Sequence, residues 1–199
     1  MKTKLKAAPS AHIEITYPFP FERFAEVWEW MQPFFASVAD DFSPVTAEQF
    51  LAIEESRKDQ VVTFAIWRDG ELGGCVWAYP VSPILVDCHC VFKKSFFGHR
   101  TTLPALEQVK ELLFNEGVEK IQMQVFAHNN AVRSLIRKLG GVEEGRLRAH
   151  TRQQGSPIDV IVYGLFKFPQ GSNPVEIPPF LPQVSSEQFV ITEPYEAAA

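Results

Sequence analysis

Long hydrophobic runs are missing from this sequence: nowhere does the chain stay apolar for the ~18 residues that a bilayer-spanning helix needs, so no membrane-spanning helix is expected. Positive charge is not in excess either. Lys and Arg number 19 against 24 Asp and Glu, a net charge of -5, so a broad basic face for nucleic acid is not expected. Cysteine is scarce, with Cys75, Cys88 and Cys90 alone. Cys88 and Cys90 stand two apart in a β-rich stretch, which points both the same way from one strand. An odd count in such surroundings fits reduced, packed thiols in a cytoplasmic protein. No further ligands stand at a spacing that completes a metal site. Internal repeats are absent. The opening Met1-Lys-Thr-Lys-Leu-Lys is basic with no apolar segment behind it, which reads as a solvated tail (1–10) and not a secretory leader.

What is there suffices for one packed domain: 46% of the 199 residues are apolar, which excludes disorder of the whole chain. His12 to Tyr17 alternates as a strand does. From Phe21 the apolar positions Phe24, Val27, Trp28 and Met31 recur at helical spacing, and Pro33 ends or kinks that helix. Thr46 followed by Gln49 has capping-box spacing for a second helix, with Phe50, Ile53 and Glu54 along one stripe. Val61 to Trp67 and Leu72 to Tyr79 flank Asp69-Gly70, a hairpin signal. A turn over Pro80 to Pro83 leads to a strand over Ile84 to Phe92. Leu103, Leu106, Val109, Leu113 and Phe114 mark the core side of a helix that Gly117 closes. Lys120 to Ala127 alternates again. Asn129 or Asn130 caps a helix to Leu139, and Gly140-Gly141 ends it. Strands over Gly145 to Arg152 and Ile158 to Phe166 flank a second hairpin turn. The order β-α-α-β-β-β-α-β-α-β-β predicts an α/β (α+β) domain over 11–168 with a mixed sheet and helices on both faces. Beyond it, 169–199 is rich in proline without period, an extended arm suited to docking on a protein partner or a second copy.

One stretch carries more than a fold class. It runs His128-Asn129-Asn130-Ala131-Val132-Arg133-Ser134-Leu135-Ile136-Arg137-Lys138-Leu139-Gly140, then Val142-Glu143-Glu144-Gly145-Arg146-Leu147-Arg148, and then Asp159-Val160-Ile161-Val162-Tyr163-Gly164-Leu165. This resembles the GNAT superfamily of acyl-CoA N-acyltransferases, in particular its ribosomal-protein N-acetyltransferase branch. There an Asn, a helix ending Lys-Leu-Gly, Glu-Gly-x-Leu-Arg, a turn and Asp-x-x-x-Tyr-x-Leu follow in that order. The resemblance implies a GNAT fold, a mostly antiparallel sheet whose strands ending at Phe92 and Ala127 splay apart. It implies acetyl-CoA as co-substrate and an amine-bearing protein or small molecule as acceptor. Pantetheine would lie in the splay as a pseudo-strand, and the helix starting near Thr102 would point its N–H groups at the pyrophosphate. The family's glycine-rich loop corresponds here to Phe97-Gly98-His99-Arg100-Thr101-Thr102, where Arg100 and Thr102 occupy the two motif glycines. Either Arg100 and the Thr101 or Thr102 hydroxyl meet the phosphates, or the loop no longer holds the cofactor. Small internal virion proteins of short-tailed phages resemble members with that loop eroded. A structural module, located in a virion, is therefore the alternative to a cytoplasmic enzyme.

Acetyl transfer to an amine needs a proton acceptor and a donor for the oxygen on which charge grows. The resemblance places the donor among the backbone amides of Val91, Phe92 and Lys93. The position where many relatives carry a tyrosine acid is Ile136 here. For the base, Asp87 and His89 share one strand face, opposite Cys88 and Cys90. An imidazole titrates near ~6.5 and suits the role, while a buried structural histidine, or an Asp–His pair that only satisfies itself, is the alternative. Tyr79 on the neighbouring strand is a further candidate. Asn129 matches a residue that contacts the pantetheine arm and also fits a helix cap. Glu143, Glu144, Arg146 and Arg148 read as strand-pairing and surface charges, the four tryptophans as core, and Asp40, Asp41, Glu54 and Glu55 as a solvated acidic face.

Overall fold

The computed structural model describes residues 12–98 and 100–168, so the tail, His99 and the proline-rich arm lie outside the described residues. Strands β1 (Ile13–Thr16), β2 (Val62–Arg68), β3 (Glu71–Ser82), β4 (Leu85–Phe92), β5 (Lys120–Phe126), β6 (Val142–Gln153) and β7 (Ser156–Phe166) form one sheet in the order β1-β2-β3-β4-β5-β7-β6. Every neighbouring pair is antiparallel except β4 with β5. The hairpin between β2 and β3 turns on Asp69 and Gly70, both at positive φ (53° and 80°), as the Asp-Gly signal requires.

Helices cover both faces. On one lie α1 (Phe24–Met31), the short α2 (Phe35–Val38) and α3 (Ala47–Arg57). Thr46 and Gln49 form the reciprocal capping box at the start of α3. Pro33 sits in a 3-10 turn between α1 and α2, a kink and not a stop. Phe24, Val27 and Trp30 of α1 pack with Phe50, Cys75 and Trp77 in the core of this face. Trp30 takes the fully inward place, and Trp28 and Met31 are its half-buried flank. On the opposite face α4 (Thr102–Asn115) and the end of α5 (Asn130–Lys138) share a second core, in which Val109, Leu113 and Leu139 meet Val86 and Ile121. A smaller cluster of Val125, Ile136, Ile161 and Tyr163 seats α5 on β5 and β7.

Three details depart from the sequence reading. Strand β3 continues through Pro80, paired with Val86, where a turn is expected. Lys93 N–H donates to Gly73 O, so alternation turns the Pro80 nitrogen toward β2, and β2 pairing has already ended at Val62–Ala78. Proline is tolerated there because no ladder bond is asked of it. Ile53 is largely exposed, whereas its neighbour Glu54 is 2% exposed. The Trp77 Nε1–H donates to Glu54 at 2.8 Å and Arg57 pairs with it, so the carboxylate is buried with partners. Asp40 and Asp41 do not form a solvated face. They accept hydrogen bonds from the tip of the β6–β7 hairpin. Among the described residues no helix is long and apolar enough to cross a membrane.

Candidate functional site

Parallel pairing of β4 with β5 lasts only from Leu85–Lys120 to Asp87–Gln122, after which β4 runs on to Phe92 and β5 to Phe126 without each other. The splay is therefore present where the resemblance places it. Backbone direction alternates along a strand. Because Lys93 N–H donates to β3 and Ile84 O accepts from Lys120 N–H at 3.0 Å, the polar groups of Cys90 and Phe92 face the gap, while Cys88 N–H still belongs to the last pairing with Gln122. Those of His89, Val91 and Lys93 face β3. Of the three amides Val91, Phe92 and Lys93, Phe92 alone is turned into the opening. From the other side Gln124 faces it, since Ala127 N–H donates away to Asp159 O.

The gap continues into a cleft of about 760 Å³ that reaches both faces of the sheet, past Met31, Phe35 and Trp77 on one and Leu106, Ile136 and Leu139 on the other. Tyr79, Asp87, His89, Val91 and Asn129 all line it. The His89 side chain is 54% exposed, which separates it from a buried structural histidine. Its Nε2 lies 3.7 Å from Asp87 Oδ2, within ion-pair range but longer than a hydrogen bond. Gln124 Nε2 donates to the same oxygen at 3.5 Å, while Asp87 Oδ1 is buried with no hydrogen-bond partner. The Tyr79 ring meets the imidazole edge-on at 5.3 Å, and the Arg57 guanidinium lies 5.1 Å over that ring. Burial pushes the Tyr79 hydroxyl well above the ordinary phenol range, so it stays neutral, able to donate a hydrogen bond but not to serve as a phenolate base.

The thiols divide. Cys75 is packed, and burial pushes its titration well above the usual thiol range. Cys88 is half-buried against the α4 core. Cys90 is exposed and lines the cleft, because at its level β5 has already diverged.

Beyond β4 the chain is held tightly. The Phe96 ring is fully buried, and Gly73 makes room for it: a Cβ there would lie 2.3 Å from the ring. Arg68 stacks 4.2 Å over Phe96 and donates to Ser95 O at 2.8 Å and Thr101 Oγ1 at 3.3 Å. Gly98 turns the loop at φ +114°, and its carbonyl accepts from the Thr101 and Thr102 amides at 3.3 and 3.1 Å. Thr102 starts α4 and so needs no positive φ, although it stands at a motif-glycine position. Its hydroxyl donates to Phe96 O at 2.7 Å, and both threonines are buried. Arg100 is exposed at the loop surface. Lys93 pairs with Glu71 at 2.5 Å.

The motif residues of the C-terminal half are mostly scaffold. Asn129 Oδ1 accepts from Val132 N–H at 3.2 Å, capping α5 at the rim of the cleft. Arg133 donates to Ala127 O at 2.9 Å and to the buried Tyr163 hydroxyl at 3.1 Å, tying α5 to β7. Glu143 closes that group, 3.5 Å from both Arg133 and Arg137. Asp159 accepts from Arg146 at 2.6 Å and from Ala149 N–H at 2.8 Å, holding the bulge in β6. The contacts of Arg68, the Trp77–Glu54 bond and the Asp40–Asp41 contacts are absent from the sequence reading, because each joins segments distant along the chain.

The model of the acetyltransferase (GNAT) family matches residues 24–141. No curated protein sequence matches the chain. Among solved structures, the ribosomal-protein-alanine N-acetyltransferase of Brucella melitensis superposes with a TM-score of 0.64 at 16% identity, covering 77% of this chain and 99% of that one. Mycobacterium smegmatis RimJ in complex with CoA-disulfide gives 0.67 at 16%, covering 80% and 84%. A Salmonella typhimurium protein with its cofactor acetyl-CoA gives 0.64 at 13%, covering 80% and 96%.

Proposed function

The chain belongs to the acetyltransferase (GNAT) family, which uses acetyl-CoA as co-substrate, and we propose that it moves the acetyl group to a primary amine by direct attack within a ternary complex. The observation that carries this reading is the splay itself. Past the Asp87–Gln122 pair the Cys90 and Phe92 backbone groups face an opening instead of a neighbouring strand. Unpaired strand edges favour a partner with amide groups in extended form, and the pantetheine arm offers them. Asn129 stands on the opposite rim, and the Arg100 guanidinium at the start of α4 is the side chain proposed for the phosphates.

The chemistry follows from the cleft. His89 accepts the proton that the amine sheds as its nitrogen bonds to the acyl carbon, and Asp87 supports the imidazolium. Phe92 N–H, turned into the opening, would donate to the carbonyl oxygen as it gains negative charge. Ile136 provides no acid for the leaving thiolate, a fair leaving group unaided. Tyr79, neutral and beside His89, is a hydroxyl that would donate a hydrogen bond within the cleft. The structural-module alternative has no observation in its favour.

Titration calorimetry tests the reading: acetyl-CoA should bind, and Arg100→Ala should weaken binding by about 1 to 3 kcal/mol, as for a charged hydrogen bond. Absence of heat and of thermal shift at millimolar acetyl-CoA sinks the enzyme reading. An unchanged affinity in the variant removes Arg100 from the site.

A further inference from the structure

On the α1–α3 face the cleft has its own character, and this inference rests on the acetyltransferase reading above. Its walls are apolar and aromatic, with Met31, Phe35, Ile53, Trp77 and Val81 among them. Among the described lining residues, Asp87 is the one carboxylate, Arg57 the one guanidinium and His89 the one imidazole. Arg57 is already matched. It pairs with Glu54, which is 2% exposed, and its guanidinium covers the Tyr79 ring. Asp87 is left as the unbalanced charge, with Oδ1 lacking any partner and His89 3.7 Å from Oδ2. Such a wall offers a cation one carboxylate, and its arginine, the one among the described lining residues, is already paired with a buried carboxylate and so is not free for an anion.

The mouth is bridged as well. Ala39, Ser43 and Pro44 line the cleft, and the loop that carries them is tied across to the β6–β7 hairpin. Asp41 accepts from the Gln154 and Gly155 amides at 2.7 and 2.8 Å, Asp40 from the Thr151 hydroxyl at 2.7 Å, and Ala39 O from Gln153 at 2.9 Å. The hairpin lies beyond the β5 end of the sheet, since Phe126 pairs with Val160. The loop and hairpin therefore form a strap over the splayed end. A side chain on a folded protein would have to displace it, whereas a small molecule passes beneath.

We propose that the acceptor is a small primary amine with an apolar, ring-bearing body, an arylalkylamine in chemical class. Its ammonium enters toward Asp87 and His89 while its ring rests on the Phe35–Trp77 wall. In the step an N–H bond is replaced by an N–acyl bond and the acyl C–S bond breaks. The entering ammonium first loses one proton, through His89 to solvent, which frees the nitrogen lone pair to attack. The proton of the replaced N–H bond then goes to His89 and on to the thiolate, giving free CoA thiol and the N-acetylated amine. A second cationic group, as in a polyamine, or an α-carboxylate would be stranded against apolar wall.

The experiment compares kcat/KM for thiol release from acetyl-CoA with phenethylamine, spermidine and an alanine-initiated peptide, with acetyl-CoA binding measured separately by calorimetry. Phenethylamine should exceed both others by about 10-fold or more, the discrimination an apolar pocket gives. Ile53→Glu, at a position exposed enough to tolerate the change, should raise the phenethylamine KM about 5-fold or more and leave acetyl-CoA affinity alone. Spermidine or the peptide matching phenethylamine, no turnover of any amine despite acetyl-CoA binding, or an unaltered KM in the variant overturns this inference and leaves cofactor binding standing. Failure to bind acetyl-CoA overturns both.

Discussion

His89 is half exposed in a cleft whose walls are largely apolar, with a carboxylate on one side and a ring edge on the other. A group placed to take a proton in the rate-determining step contributes on the order of 10²- to 10⁴-fold. His89→Gln should thus lower kcat by about 10²-fold and erase the acid limb of the pH–rate profile, with acetyl-CoA affinity unchanged in calorimetry. Retention of that limb would move the base elsewhere. The pairing of Asp87 with His89 is legible in the sequence because strand alternation puts residues two apart on one face. The same rule opposes Cys88 and Cys90 to them. Arg68 was not legible. Its partners Ser95 and Thr101 stand 27 and 33 positions away, and no local pattern marks a surface arginine that folds back over a buried ring. Glu54 illustrates the same limit in the core, since its burial depends on Trp77, 23 positions on.

At the level of elements, the loop before α4 is built on a close approach. Gly73→Ala would set a methyl 2.3 Å from the Phe96 ring, so the ring must leave its site. A loss of about 1 to 3 kcal/mol in chemical denaturation is expected for such overpacking, together with weaker acetyl-CoA binding as the loop shifts. Full stability in that variant would mean that Phe96 is not the anchor. The strap over the cleft carries its own pH signature. Burial alone would raise the Asp40 carboxyl, but hydrogen bonds from Thr151 and Ser43 and from the Phe42 and Ser43 amides outweigh it and hold the group below its ordinary 3.8. A depressed carboxylate stabilises the folded form above the unfolded value and loses that contribution as pH falls through the folded one. The hydrogen-exchange protection of residues 39–44 and 151–155, taken relative to the intrinsic rate at each pH, should therefore be high at pH 5 and fall below pH ~3.8. Asp40→Asn should show low protection at both. Elements with local grammar were readable: the Asp69-Gly70 turn and the Thr46–Gln49 box are set within four residues. The passage of β3 through Pro80 was not, because it is allowed by where β2 stops pairing.

Across the whole molecule the sheet behaves as two halves, β1 to β4 and β5-β7-β6, that share backbone pairing only over Leu85–Asp87 and Lys120–Gln122. What unites them is the core in which Val86, Ile121, Leu139 and Leu165 pack with α4, and at the far end the strap. Such a division leaves a permanently open seam without exposing the core, since apolar burial on the α4 side does not depend on the ladder across the gap. The body of the fold also closes on itself at its last described residues. Lys167 N–H donates to Glu119 O at 2.9 Å and its ammonium to Phe114 O at 2.5 Å, which pins the exit of β7 to the end of α4. The hydrophobic clusters named above are those of the described residues, and the arm over 169–199 is proposed to dock on a partner or a second copy, not on this body. Truncation after Phe168 should leave the melting temperature within about 2 °C of the full chain, the span that a few tenths of a kcal/mol produces at this size. Acetyl-CoA affinity should stay the same, because the splay and the α4 start lie wholly within the retained body. A fall of more than about 5 °C would show that the arm packs on its own domain. A change in assembly state at constant melting temperature would assign it instead to contacts between chains.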